Sequence, residues 1–228
     1  LIFGQPNPSW FNVTETFSRI NHVYKSPDFQ RIIAEEIIFL QETPAQKMPP
    51  SEKFDGPGVY QIYCTANSGI YSRFHNFNRT FLQVPIYIGK AVPKGWRQGR
   101  QPSSTDRKTN ELYHRSREHT NSISQGEGLR LEDYYCRFII LEGAESSLIS
   151  TLEAALIRQY QPLWNTVIDG FGNHDPGKGR YQQSKSDWDV CHPGRPWAER
   201  CQGVAKNKEE LYAAIDVFFD NLELSKNV

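Results

Sequence analysis

The chain has 228 residues, room for one large domain or for one domain with sizeable insertions, and its 38% hydrophobic and 13% aromatic residues suffice for a packed core. Its 26 Lys and Arg balance 26 Asp and Glu, which argues against a strongly basic coat that binds nucleic acid by bulk charge alone. No signal peptide and no apolar run approaching a membrane span is evident, so a cytoplasmic protein without a membrane partner is expected.

Residues 1–27 show little periodicity and read as an irregular arm. Asp28 opens "DFQRIIAEEIIFLQ", whose Phe29, Ile32, Ile33, Ile37 and Leu40 recur at helical spacing, until Pro44 and "MPP" at 48–50 end it. "FDGPGVYQIYCT" predicts a turn and then a strand over roughly 58–65. A polar, aromatic-rich excursion without a period fills 66–84, and "VPIYIGKA" at 84–91 predicts a strand buried on both faces. After a Gly/Ser/Arg/Lys-rich loop over 92–109, "NELYHRSREHT" predicts a short helix around 110–120, and "YYCRFIIL" a third strand at 134–141. A helix over about 145–161 stops at Pro162, and a long Gly/Pro/Lys/Arg-rich loop covers 170–206. A closing amphipathic helix has Asn207 and Glu210 at capping-box spacing. This order predicts an α+β fold, a small antiparallel or mixed sheet of three strands covered by helices.

The four cysteines are too scattered for a disulfide framework. Cys64 and Cys136 sit in strand-like runs as expected buried thiols, and Cys191-His192 with Cys201 shares zinc-ligand types but lacks zinc-site spacing.

Glu153 falls among Ile149, Leu152, Leu156, Ile157 and Tyr160 on the helix face expected to be buried. An unpartnered carboxylate there costs several kcal/mol, about 2–7 by transfer data before its charge is counted, so a hard cation or an arginine is expected to neutralise it. The competing reading is a capping box at Ser150-Thr151-Leu152-Glu153. Tyr60 and Tyr87 lie in the first two strands, each beside glycine, and taken alone each reads as a strand aromatic with its hydroxyl bonded at a sheet edge. Arg115 and His119, four residues apart, share one helix face, and taken alone they read as part of a solvated basic helix.

Together these residues carry a resemblance. "GVY" at 58–60, "YIG" at 87–89, Arg115-x-x-x-His119, Glu153 and Asn165, in that order, resemble the GIY-YIG nuclease superfamily over about 54–166. "EAALIRQYQPLWN" is similar to that family's helix and its Pro-x-x-Asn ending. Two features depart from the pattern. The tyrosines lie 27 residues apart, which makes 66–84 an insertion in a core of 54–166, between an N-terminal arm and helix at 1–53 and an extension at 167–228 expected to pack on the core. His119 stands where the family often has tyrosine, and histidine there resembles the family's restriction endonucleases.

The resemblance implies a Mg²⁺-dependent hydrolysis of phosphodiester bonds, with Mn²⁺ able to substitute. It implies Glu153 as the metal ligand, Arg115 stabilising charge at phosphorus, Tyr60 as general base assisted by His119, Tyr87 orienting water or phosphate, and Asn165 fixing the geometry. A catalytic core with short extensions resembles a bacterial type II restriction endonuclease, which implies a homodimer on double-stranded DNA and a cognate DNA methyltransferase as genetic partner. Between Lys90 and His119 there are eight Lys or Arg against three Asp or Glu, and Lys90, Lys94, Arg97, Arg100, Lys178, Arg180 and Arg195 are candidate DNA contacts. The alternatives are a repair or structure-selective nuclease of the same family and a non-catalytic DNA-binding module.

Overall fold

The computed structural model describes residues 17–26, 28–93 and 109–226. Its main elements are α1 (Phe29–Glu42), β1 (Gln46–Lys47), β2 (Gly58–Cys64), α2 (Phe74–Asn78), β3 (Pro85–Ala91), α3 (Glu111–Gln125), β4 (Tyr134–Ile140), α4 (Ile149–Tyr160), α5 (Leu163–Thr166), α6 (Asp187–Cys191) and α7 (Lys208–Lys226). The sheet is antiparallel throughout, in the order β1-β4-β2-β3. The α+β expectation and its three long strands hold. The sheet gains a fourth strand, β1, whose two residues pair Gln46 with Cys136 and Lys47 with Tyr135. Two residues are too few to show an alternation, so this strand had no sequence signal.

β2 is the centre of the molecule, paired on both edges and buried at all seven positions. Its side chains alternate between two cores. Val59 faces α1 and α4, in a cluster with Ile33, Ile37, Ile88, Ile139, Leu152 and Leu156. Tyr60, Ile62 and Cys64 face the other way, toward Leu112 and Ile123 of α3. That second cluster also takes in Trp164, Phe171, Trp188, Leu211, Ile215 and Phe219, so the C-terminal residues complete the core on the Tyr60 face.

Two elements differ from their expected form, and the start of the helix expected over 145–161 decides between the two readings of Glu153. The 66–84 excursion contains α2, which delivers Asn78: its amide donates to Cys64 O and Val84 O, and its carbonyl accepts from the Gln83 and Val84 amides. This buried side chain thereby ties the excursion to the ends of β2 and β3. α3 runs on to Gln125, five residues past its expected end. Helical backbone begins at Glu145 in a 3₁₀ turn and becomes α-helical from Ile149, with no side-chain cap at the start of α4. Ser150 is therefore inside the helix, and the capping-box reading of Glu153 is corrected.

His192 is a core histidine with both ring nitrogens engaged. Nδ1 lies 3.0 Å from the Glu127 carbonyl, which only accepts, so Nδ1 carries the proton and Nε2 accepts from the Tyr71 hydroxyl at 2.7 Å. Tyr71 in turn accepts from Trp164 Nε1 at 2.9 Å. Burial pushes the His192 imidazole down to about 4. The unfolded chain binds this proton near pH 6.5, so the stabilisation is full above that pH and is lost as pH falls toward 4. It amounts to on the order of 3 kcal/mol. Urea melts between pH 7 and pH 4 should show a steeper acid loss for the wild type than for His192→Gln. Parallel pH slopes for the two would refute this assignment.

Candidate active site

β3 is an edge strand, and its free side is capped by a side chain rather than by another strand. Asn165, in α5, accepts from the Ile88 amide and donates to the Ile88 carbonyl, both at 2.8 Å. These two bonds reproduce what a neighbouring strand would supply. They pin the backbone between Tyr87 and Gly89, the two residues flanking Ile88.

Tyr60 and Gly89 are directly opposite in the β2–β3 register. A Cβ at Gly89 would collide with the Tyr60 hydroxyl and ring and come within 2.9 Å of Tyr87 Cε1, so only glycine lets the Tyr60 ring lie across β3. The Tyr60 hydroxyl ends 2.5 Å from His119 Nε2. Around this pair, the Tyr87 ring stands edge-on to His119 at 5.2 Å, and Phe171 stacks on the imidazole at 4.4 Å and 16°.

Water is almost excluded from both partners. Burial raises the Tyr60 phenol well above its ordinary value, and Tyr87 adds to the rise, while the Arg115 charge opposes it. Burial, reinforced by Arg115, holds the His119 imidazole well below its ordinary value. Both shifts favour the neutral forms, so at neutral pH the pair is a phenol donating to an unprotonated nitrogen.

Arg115 lies on the same face of α3, one turn before His119. Its Nη1 donates to Glu118 Oε2 at 2.6 Å and to His174 Nε2 at 2.7 Å, and its Nη2 donates to the Gly172 carbonyl at 2.8 Å. His174, Phe171 and Gly172 were not anticipated from sequence, because the segment after Asn165 has no period to place it. The described residues Lys90, Asn110, Glu111, His114, Arg115 and His174 line a cleft of about 620 Å³.

Glu153 is 19% exposed, and Lys90 Nζ, on β3, lies 2.6 Å from its carboxylate. The carboxylate is neutralised, but by a lysine rather than by the hard cation or arginine expected. The Glu153 charge also adds to the upward shifts of the Tyr60 and Tyr87 phenols, after the larger effect of burial. α4 packs on the sheet face opposite α3, so the candidate residues arrive from both faces and converge at β3. Tyr60, Tyr87, Arg115, His119, Glu153 and Asn165 are thus gathered around one edge strand.

This geometry coincides with a match of residues 52–219 to the family model of the Eco29kI GIY-YIG domain, a family of type II restriction endonucleases. The chain belongs to this family. It carries a nuclease domain whose kind implies DNA binding. The match runs through α5, α6 and most of α7, well beyond the GIY-YIG motifs themselves. No curated protein matches the chain. Among the described residues, no helix is long and apolar enough to cross a membrane.

The candidate DNA contacts separate into four groups. Lys178 and Arg180 are exposed, and Lys90 is engaged by Glu153. Lys94, Arg97 and Arg100 lie outside the described residues. Arg195 is corrected. It is 2% exposed, and its guanidinium donates to Asp189 and to the carbonyls of Gly170, Phe171 and Asn173, which leaves no donor for a phosphate.

Gly89→Ala tests the crossing of Tyr60 over β3. A displacement of the hydroxyl by about 1 Å should lower the DNA-cleavage rate on the order of 100-fold. Stability should fall by only about 1–3 kcal/mol, the usual cost of overpacking, in a urea melt. A wild-type cleavage rate from the folded variant would show that the Tyr60 hydroxyl position is unimportant.

Proposed function

We propose that this chain is a bacterial, cytoplasmic type II restriction endonuclease that acts as a homodimer on a short palindrome in double-stranded DNA, with a cognate methyltransferase as genetic partner. The observation that carries this reading is the buried Tyr60–His119 hydrogen bond beside Arg115 and within the field of Glu153. A DNA-binding module has no need of a phenol and an imidazole held dry and neutral, whereas hydrolysis needs a group that takes a proton from water.

Glu153 suits Mg²⁺ of the kind held by one carboxylate, with the remaining ligands from substrate oxygens and water. The fit rests on the Glu153 carboxylate itself, 19% exposed and held by one partly exposed lysine rather than by a buried network. Mn²⁺ is expected to substitute for Mg²⁺. A bound ion would supply Lewis-acid stabilisation of charge on the phosphate and leaving oxygens. Lys90 holds the carboxylate meanwhile, so it must yield when the ion and DNA arrive.

The protein's own groups handle the proton and the geometry. Tyr60 accepts the proton of the attacking water through its hydroxyl oxygen while passing its own proton to His119 Nε2. This route avoids a free phenolate, which burial strongly disfavours. Burial and Arg115 disfavour the resulting imidazolium, so the proton returns readily. Arg115 stabilises the charge that develops on the phosphoryl oxygens, and Tyr87 orients water or phosphate beside it. Asn165 acts through Ile88 by holding β3 still.

Plasmid DNA incubated with Mg²⁺ tests the reading. Discrete fragments are expected, and Glu153→Gln should retain DNA binding while losing Mg²⁺-dependent cleavage. Smearing or structure-selective nicking would favour a repair-type nuclease, and no cleavage with any divalent ion would favour a binding module. Undiminished cleavage by Glu153→Gln would remove Glu153 from the mechanism.

A further inference from the structure

The turn between α5 and α6 closes over the Tyr60–His119 pair without belonging to any helix or strand. Three of its residues touch the working groups: Phe171 stacks on His119, the Gly172 carbonyl accepts from Arg115 Nη2, and His174 Nε2 accepts from Arg115 Nη1. A Cβ at Gly172 would come within 2.7 Å of the Tyr87 hydroxyl and 3.2 Å of Arg115 Nη2, so the turn runs close against both.

The same turn is gripped from behind by one side chain. Arg195 Nη1 donates to the carbonyls of Phe171 (3.1 Å) and Asn173 (3.3 Å), and its Nη2 donates to that of Gly170 (2.9 Å). Its Nε and Nη2 also hold Asp189 at 2.6 and 2.7 Å. The guanidinium lies 4.5 Å from the Trp188 ring and 4.6 Å from the Trp197 ring. Asp189 is itself oriented by Ser186, which donates to it at 2.6 Å and caps α6.

We propose that Arg195, anchored on Asp189, is a positioning residue of the nuclease, setting the 170–174 turn and through it the placement of Arg115 and His119. The proposal rests on the reading of Arg115 and His119 as working groups. Stability alone gives little reason for the arrangement, because a buried ion pair is often replaceable by packed apolar residues without loss. The demand comes from three carbonyls that converge in one short turn, that of Phe171 buried and those of Gly170 and Asn173 partly so, and that need donors in fixed directions. A planar fork of five donors meets that demand, whereas the point charge of a lysine cannot serve Asp189 and all three carbonyls together.

Arg195→Lys keeps the charge on Asp189 and loses the fork. Its single-turnover cleavage rate at saturating DNA should fall about 10- to 100-fold. Its DNA Kd should remain near that of the wild type and its melt should stay cooperative, at lower urea because carbonyls of the turn lose their donors, and hydrogen exchange should accelerate at the amides of 170–174 while β2 stays protected. If Arg195→Lys fails to fold, Phe171→Leu, which spares the Arg195–Asp189 pair and removes the stack on His119 along with ring contacts to Tyr87, Trp164 and Trp188, should lower the same rate. Three results would overturn the proposal: a wild-type rate with unchanged exchange at 170–174, a loss of activity matching the loss of folded protein, or a weaker Kd with an unchanged rate at saturation. In the Phe171→Leu arm, an unchanged rate would do the same. If the wild type cleaves no DNA, the nuclease reading fails, and the exchange at 170–174 in the variant still decides whether Arg195 sets the turn.

Discussion

A phenol and an imidazole excluded from water share one proton across 2.5 Å, and the surrounding structure serves to keep them that way. Tyr60 comes from the middle of the central strand, where every side chain is buried and the ring has little freedom to move. Gly89 lets it cross β3, Phe171 covers the imidazole, and Arg115 places a positive charge that opposes protonation of His119. Removing water from this pair stabilises its neutral forms, so a proton passed along the hydrogen bond to His119 is held only briefly and returns to Tyr60.

Charge at the site is organised around β3. Lys90 projects from the edge strand to Glu153, whose carboxylate would otherwise sit in a mostly apolar helix face without a partner. Arg115 is held on the other side by Glu118, His174 and a backbone carbonyl. Each charge that the proposed reaction uses is thus paired before DNA arrives. The pairs are partly exposed, and their exchange for phosphate or metal costs far less than breaking a buried pair such as Arg195–Asp189.

Much of this was legible in the sequence, and the physical reasons are specific. Alternation and apolar runs gave β2, β3 and β4, and helical spacing together with Pro162 gave α4. Tyr60, Tyr87, Arg115, His119, Glu153 and Asn165 were singled out by the resemblance of five short motifs, in order, to the GIY-YIG family; taken alone, Tyr60, Tyr87, Arg115 and His119 carried only the signals of strand aromatics and a basic helix face. What stayed hidden depends on long-range contacts between irregular segments. Lys90 lay in a basic stretch and read as a DNA contact, yet its partner is 63 residues away on another element. Arg195, set among Gly, Pro and charged residues, read as exposed. Its burial follows from Asp189 and from flanking Trp188 and Trp197, which carry meaning only once the loop is folded. The 170–174 turn has no periodicity, so neither the Phe171 stack nor the His174 bond had a signal.

The neutral, hydrogen-bonded Tyr60–His119 pair is most directly read by ¹⁵N NMR of the His119 ring in the DNA-free protein near pH 6, just below the ordinary imidazole value of about 6.5. The account predicts a neutral imidazole whose Nε2 is an unprotonated acceptor, with a shift that stays constant as pH falls from 7 to 6. An imidazolium at that pH, or a proton resident on Nε2, would contradict it.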